Sequence, residues 1–117
     1  MNIRNHRKLA ILAALLFAGG AAHAAQTTVA AAGAPVATTT VSYGDLNLAS
    51  QSGIATLYRR LSRAAERVCG EHEARSPREH AAFRACHTAS LNRAVQQVGH
   101  PGVVALHAGQ SGAAARG

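Results

Sequence analysis

Two cysteines and two histidines are the residues of this chain whose types and spacing could do chemistry. Cys69 stands three residues before His72, and Cys86 directly precedes His87. Thiolates and imidazoles are zinc ligands, and a Cys-His pair can also supply an activated nucleophile. The competing use of the two sulfurs is a disulfide between Cys69 and Cys86. The disulfide excludes the other two interpretations, because it leaves no thiolate.

The spacing on a helix argues against a metal or cofactor site. Neighbouring residues on a helix point about 100° apart, so Cys86 and His87 cannot easily share one ion. Covalent haem attachment needs a cysteine three residues before Cys86, and Phe83 occupies that position. We therefore predict no metal, no cofactor and no catalytic residue, and we assign the two sulfurs to a disulfide.

The N-terminus has the pattern of a secretory signal peptide. Arg4, Arg7 and Lys8 precede the apolar run LAILAALLFA at 9–18, and small residues follow up to Ala24. This run is shorter than the roughly 20 apolar residues that a bilayer-spanning helix needs. We predict cleavage near Ala24 and a periplasmic or secreted mature protein. That compartment is oxidising, which is the condition under which a disulfide forms and persists.

Composition describes a small, mildly basic domain. The net charge of the 117-residue chain is +7. After removal of 1–24, nine arginines face five carboxylates, which leaves about +4. A hydrophobic core alone is marginal at this size. Closing the loop between the cysteines contributes roughly 3 kcal/mol on the chain-entropy model, so the disulfide could decide whether the domain folds.

A central amphipathic helix is predicted between Ser50 and Gly70. Serine at Ser50 or Ser52 is a typical N-cap, and glycine at Gly70 is a typical C-terminal stop. One arc of the helix is apolar and predicts packing: it contains Ile54, Leu57, Tyr58, Leu61, Ala64, Ala65 and Val68.

The opposite side of this helix is the candidate anion-binding surface. Its cations are Arg59, Arg60, Arg63 and Arg67. Such a row could bind phosphates, an acidic protein or an anionic envelope surface, and the alternative is a solvated outer face. Export and the lack of aromatics between the arginines argue against nucleic acid.

A second helix is predicted from Pro77 to Val98. Ser76 and Glu79 form a capping box, and Gly99 and Pro101 stop the helix. Two antiparallel helices with apolar faces together and the cysteines joined at their edges satisfy these patterns. The predicted fold is mainly α, a disulfide-stapled antiparallel helical hairpin with a short N-terminal strand and flexible ends.

The flanking segments complete the predicted organisation. We expect a flexible leader over 25–40, a domain over 41–107 and a disordered tail over 108–117. A short strand begins at Val41. It needs a partner, which could be Val103 to His107 or a second copy of the chain in a homo-oligomer. The pattern at 101–107 fits either a helix or a strand.

An ordered set of residues resembles the UrcA family of small exported bacterial proteins. The set spans about 41–107 and comprises Tyr43-Gly44-Asp45-Leu46-Asn47-Leu48, Gly53, Leu57-Tyr58-Arg59-Arg60-Leu61, Ala64-Ala65, Val68-Cys69-Gly70, Cys86, Ala94-Val95, Val98, Pro101 and Ala105-Leu106-His107. Gly102 and the glycine-rich tail depart from the family pattern. The resemblance implies an exported protein with a paired-cysteine helical core, and it brings no catalytic residue.

These patterns lead to one functional hypothesis and two alternatives. The leading hypothesis is a non-enzymatic exported domain with a role in interaction or in envelope stress. The second is an anion- or envelope-surface-binding module that uses the arginine row. The third is a metal-binding protein or a thiol enzyme.

Overall fold

The computed structural model describes residues 25–31, 37–70 and 75–117. Two strands, β1 (Gln26–Ala30) and β2 (Thr38–Ser42), precede three helices, α1 (Gln51–Cys69), α2 (Pro77–Val98) and α3 (Pro101–Arg116). The predicted mainly α fold, in which a disulfide staples α1 to α2, is confirmed. The predicted signal peptide at 1–24 lies outside the described residues. No helix within the described ranges is long and apolar enough to cross a membrane.

The core is made where the two strands and three helices meet. Its apolar members are at most 7% exposed, and five of them lie on α1. They are Val29, Val41, Ile54, Leu57, Leu61, Ala64, Ala65, Leu91, Ala94, Val95 and Val103.

The segment predicted as a flexible leader contains most of an antiparallel β-hairpin, so that prediction was wrong for 26–30 and 38–40. Thr27 and Val29 are buried while Gln26 and Thr28 are exposed. This alternation is typical of a strand with one buried face. In the register of the hairpin, Thr27 lies opposite Val41. The strand partner is therefore β1, whereas 103–107 is part of a helix. The sequence did not predict β1 because only two of its residues, Thr27 and Val29, point inward.

The ends of α1 confirm the predicted caps. The Ser50 hydroxyl accepts a hydrogen bond from the Gly53 N–H at 3.0 Å, and Gly70 closes the helix with φ of 75°. Gly53 has a second role, because a Cβ at this position would overlap the carbonyl oxygen of Asn47. The turn that enters α1 therefore packs against the helix at a distance that only glycine allows.

The N-terminus of α2 confirms the predicted capping box. Glu79 N–H donates to the Ser76 hydroxyl at 3.2 Å, and Ser76 N–H donates to the Glu79 carboxylate at 2.7 Å. Arg75 N–H donates to the same carboxylate at 2.8 Å. These backbone donors, Arg75 first, hold the pKa of Glu79 below its ordinary value.

The tail forms a helix, which corrects the prediction of disorder over 108–117 and settles 101–107 as helical. His100 caps α3, since its Nδ1 accepts from the Gly102 N–H at 3.1 Å, and Pro101 occupies the first turn. Alanine is frequent in 104–115, and its high helix propensity outweighs the cost of Gly109 and Gly112. Val103 is the one residue of α3 that is fully buried.

Candidate functional site

The two cysteines are joined and therefore unavailable for metal binding or catalysis. Cys69 and Cys86 have their sulfurs 2.02 Å apart and their Cα atoms 5.9 Å apart. The Ser90 hydroxyl, which is 1% exposed, lies 3.7 Å from the Cys69 sulfur and 3.9 Å from the Cys86 sulfur. The pair thus occupies the α1–α2 interface, and neither sulfur can act as a thiolate.

His87, the histidine of the Cys-His pair, contacts α1. Its Nε2 lies 3.3 Å from the hydroxyl of Ser62, and its ring centroid lies 5.9 Å from that of Phe83. His72 falls outside the described residues. Among the residues that are described, no group of three or more His, Cys, Asp or Glu side chains could hold a metal ion.

Arg60 is the member of the arginine row with a clear structural role. Its guanidinium donates two hydrogen bonds of 2.8 Å to the two carboxylate oxygens of Asp45. It also donates to the main-chain carbonyl of Ser42 at 2.8 Å. The Arg60 hydrogen bond holds the pKa of Asp45 below its ordinary value. Arg60 therefore ties the end of β2 and the following turn to α1.

A shallow open groove of about 310 Å³ lies between this strand and the helix. Its lining residues come from one short stretch of β2 and from three turns of α1: Thr40, Val41, Ser42, Arg60, Arg63 and Arg67. Arg63 and Arg67 are exposed, and neither guanidinium has a hydrogen bond or ion pair with another residue in 25–31, 37–70 or 75–117. Asp45 offsets the charge of Arg60. The net positive charge of the groove therefore comes from Arg63 and Arg67.

The four arginines predicted to form one anion-binding row do not all lie at the groove. Arg60, Arg63 and Arg67 line the groove, whereas Arg59 does not. Arg59 donates to the hydroxyl of Thr56, one turn earlier on α1, at 3.2 Å. Sequence reasoning placed the arginines on one helix face but missed the wall that β2 provides. The signal that could have found it is the alternation of Thr39 and Val41 with exposed Thr and Ser.

A second polar arrangement links all three helices. The Tyr58 hydroxyl lies 3.1 Å from Nδ1 of His107, and Nε2 of His107 makes a hydrogen bond to the side-chain oxygen of Asn92. With the proton on Nε2, His107 donates to Asn92 and accepts from Tyr58. Partial burial raises the pKa of the Tyr58 hydroxyl, which keeps it a donor. The arrangement joins α1, α2 and α3.

Comparison of the chain with family models, curated proteins and solved structures returned no match.

Proposed function

We propose that this chain is an exported, non-enzymatic interaction domain that binds anionic groups in the groove between β2 and α1. The observation that carries the proposal is the convergence of Arg60, Arg63 and Arg67 with the edge of β2 around one groove. Its partner is an acidic protein or an anionic envelope surface. We also place the chain in the UrcA family, on the ordered residue set between 41 and 107.

The arginine chemistry supports anion binding. A guanidinium presents donors in a planar fork that matches carboxylate and phosphate, and its charge persists at any physiological pH. Arg60 is already engaged with Asp45 and Ser42, so it holds the wall of the groove in place. Arg63 and Arg67 are exposed beside it and can turn their donors to a ligand.

Export is supported by two independent features. The basic and apolar pattern of 1–24 is that of a signal peptide, and a joined cysteine pair is typical of proteins that fold outside the cytoplasm. The same pair supports a non-enzymatic role, because it removes the thiols that the enzyme hypothesis requires. Mass measurement of the protein recovered from the envelope or medium tests export. We expect a chain that begins near Ala25, and a full-length cytoplasmic chain contradicts the proposal.

Anion binding is tested with the mature protein and two probes, dextran sulfate in solution and phosphatidylglycerol vesicles. The groove variant is Arg63→Gln/Arg67→Gln, and the matched control is Arg78→Gln/Arg84→Gln, which removes the same charge from exposed positions on α2. We expect the groove variant to bind about tenfold more weakly, a loss of about 1.4 kcal/mol, while the control stays within about twofold.

The comparison of the two double variants decides the outcome. Equal losses mean that binding follows total charge, and the groove then has no role. Loss in the groove variant alone supports the groove, and the probe that binds identifies a soluble or a membrane-bound anion. All four arginines are exposed, so we expect both variants to keep the circular dichroism spectrum and denaturation midpoint of the parent.

A further inference from the structure

One edge of β2 has main-chain groups that β1 does not use. Tyr43 N–H donates to the Ala25 carbonyl and Ala31 N–H donates to the Ala37 carbonyl, both at 2.8 Å. In an antiparallel pair, every second residue exchanges both hydrogen bonds with its partner. With the observed register, the residues that face β1 are therefore 37, 39, 41 and 43. The main-chain N–H and C=O groups of Thr38, Thr40 and Ser42 point the other way.

This outward edge faces the groove. The Ser42 carbonyl accepts from the Arg60 guanidinium at 2.8 Å, so the outward groups of β2 are on the side of the arginines. Thr40 lines the groove and is exposed. The two-stranded sheet contains only β1 and β2 among the described residues, so no third described strand covers this edge. An unpaired strand edge is a template for another extended chain.

We infer that the groove receives an extended acidic segment of a partner protein, which adds to β2 as a third strand. This inference rests on the proposed function and names the class of its ligand. Main-chain hydrogen bonds to Thr38 and Thr40 hold the segment, as in strand addition generally. Acidic side chains of the segment pair with Arg63 and Arg67.

The spacing of the arginines agrees with an extended ligand. Arg63 and Arg67 are one helical turn apart, a rise of about 6 Å. Alternate residues of an extended chain are about 6.7 Å apart. Carboxylates at every second position of a peptide thus have about the same spacing as the positions of Arg63 and Arg67 along α1.

Charge favours this occupant over a second copy of the chain. Pairing of β2 with β2 of another copy would bring two sets of Arg63 and Arg67 into the same space, and like charges that close oppose association. A peptide with carboxylates at alternate positions instead neutralises both arginines. A lipid surface can neutralise the arginines, but it offers no row of main-chain groups to the strand edge.

The test compares an acidic peptide with one control of equal charge and one of opposite charge. The probe is a capped peptide of about six residues, the length of a common strand, in which Glu and Val alternate. The first control is the same peptide with its main-chain nitrogens methylated, which keeps the charge and removes the donors. The second control replaces each Glu with Lys. We expect methylation to weaken binding to the mature protein by about tenfold and the Lys peptide not to bind.

Amide exchange measured by NMR locates the peptide. The Thr39 N–H points to β1 and should be protected in the free protein, whereas the Thr40 N–H points away from β1 and should exchange faster. On addition of the peptide we expect protection at Thr40 and little change at Thr39. We expect the Arg63→Gln/Arg67→Gln variant to bind the peptide about tenfold more weakly than the parent. Sedimentation should show a complex that contains a single copy of the protein.

Each alternative result overturns the inference. Equal binding of the methylated and unmethylated peptides rules out strand addition, and so does an unprotected Thr40 in a complex that has formed. If dextran sulfate binds through the groove and the peptide does not, the ligand class is wrong while the proposed function stands. If the peptide, dextran sulfate and the phosphatidylglycerol vesicles all fail to bind, the proposed function fails as well. A peptide-independent dimer with protected Thr40 assigns the edge to a second copy.

Discussion

Removal of the Cys69–Cys86 link is expected to cost this small domain a large part of its stability. The cysteines are separated by 17 positions in the sequence. On the chain-entropy model, freeing a loop of this length in the unfolded state lowers the free energy of unfolding by about 3 kcal/mol. Small domains have a total of roughly 5 to 15 kcal/mol, so the change is large.

The perturbation is made in two ways, by substitution to Cys69→Ala/Cys86→Ala and by reduction of the unaltered protein. Urea denaturation followed by circular dichroism gives the free energy of unfolding in each case. The melting temperature should fall by about 15 °C, since 1 kcal/mol corresponds to roughly 4 to 8 °C at this size. The slope of the urea dependence should rise, because the uncrosslinked unfolded chain exposes more surface.

The two perturbations control for each other. The reduced protein keeps both sulfurs beside Ser90, whereas the alanine variant loses them, so the difference between the two measures packing alone. If the reduced protein unfolds with the same free energy as the oxidised one, the constraint on the unfolded chain is negligible. The view of the disulfide as the main staple is then wrong.

Four further substitutions test the fold. Gly53→Ala should lower the free energy of unfolding by more than the roughly 1 kcal/mol that a glycine-to-alanine change usually alters, because the new methyl group overlaps the Asn47 carbonyl. An unchanged urea midpoint contradicts this. Leu57→Ala, at a fully buried position, should cost about 2 to 5 kcal/mol in the same assay, and a smaller cost contradicts the assigned core. Asp45→Asn should be less stable than the parent at neutral pH, and this difference should shrink as the pH falls below 3.8 and through the lowered folded-state pKa; a difference that persists in stronger acid excludes the ion pair as its cause. Glu79→Gln should behave in the same way, since its carboxylate also has a lowered pKa.

Local chemistry made the helices predictable. Ser50 and Gly70 bound α1, and Ser76 and Gly99 bound α2, because caps are recognised within a few residues of the sequence. The cysteine pair was predicted from the signal-peptide pattern and from two helix edges that face each other. These features need no knowledge of distant contacts.

The strand β1 and the helix α3 were missed for a different reason. In β1, only Thr27 and Val29 point inward, too few for a periodic signal in an uncharged segment. In α3, glycines suggested disorder, and a histidine provides the N-cap where Ser, Thr, Asp or Asn is the usual residue. The sequence alone could not show the packing of Val103 against the body, which is a tertiary contact.

The sequence predicted the arginines of the candidate site but not the groove that they line. Helical periodicity put the arginines on one face, but it could not separate Arg60 from Arg63 and Arg67. The Arg60–Asp45 pair joins residues 15 positions apart, and it depends on how the turn after β2 returns to α1. The groove exists only when strand and helix are assembled, so its shape has no local signature.

The attachment of α3 has a consequence for partial opening of the molecule. The fully buried Val103, the partly buried Leu106 and the hydrogen bonds of His107 hold the first half of α3 to a body that the disulfide crosslinks. Residues 108–117 contain no buried side chain, so this end of α3 is the part that proteases and solvent amide exchange should reach first. No residue of α3 lines the groove, so a ligand can still bind there when the end of α3 opens.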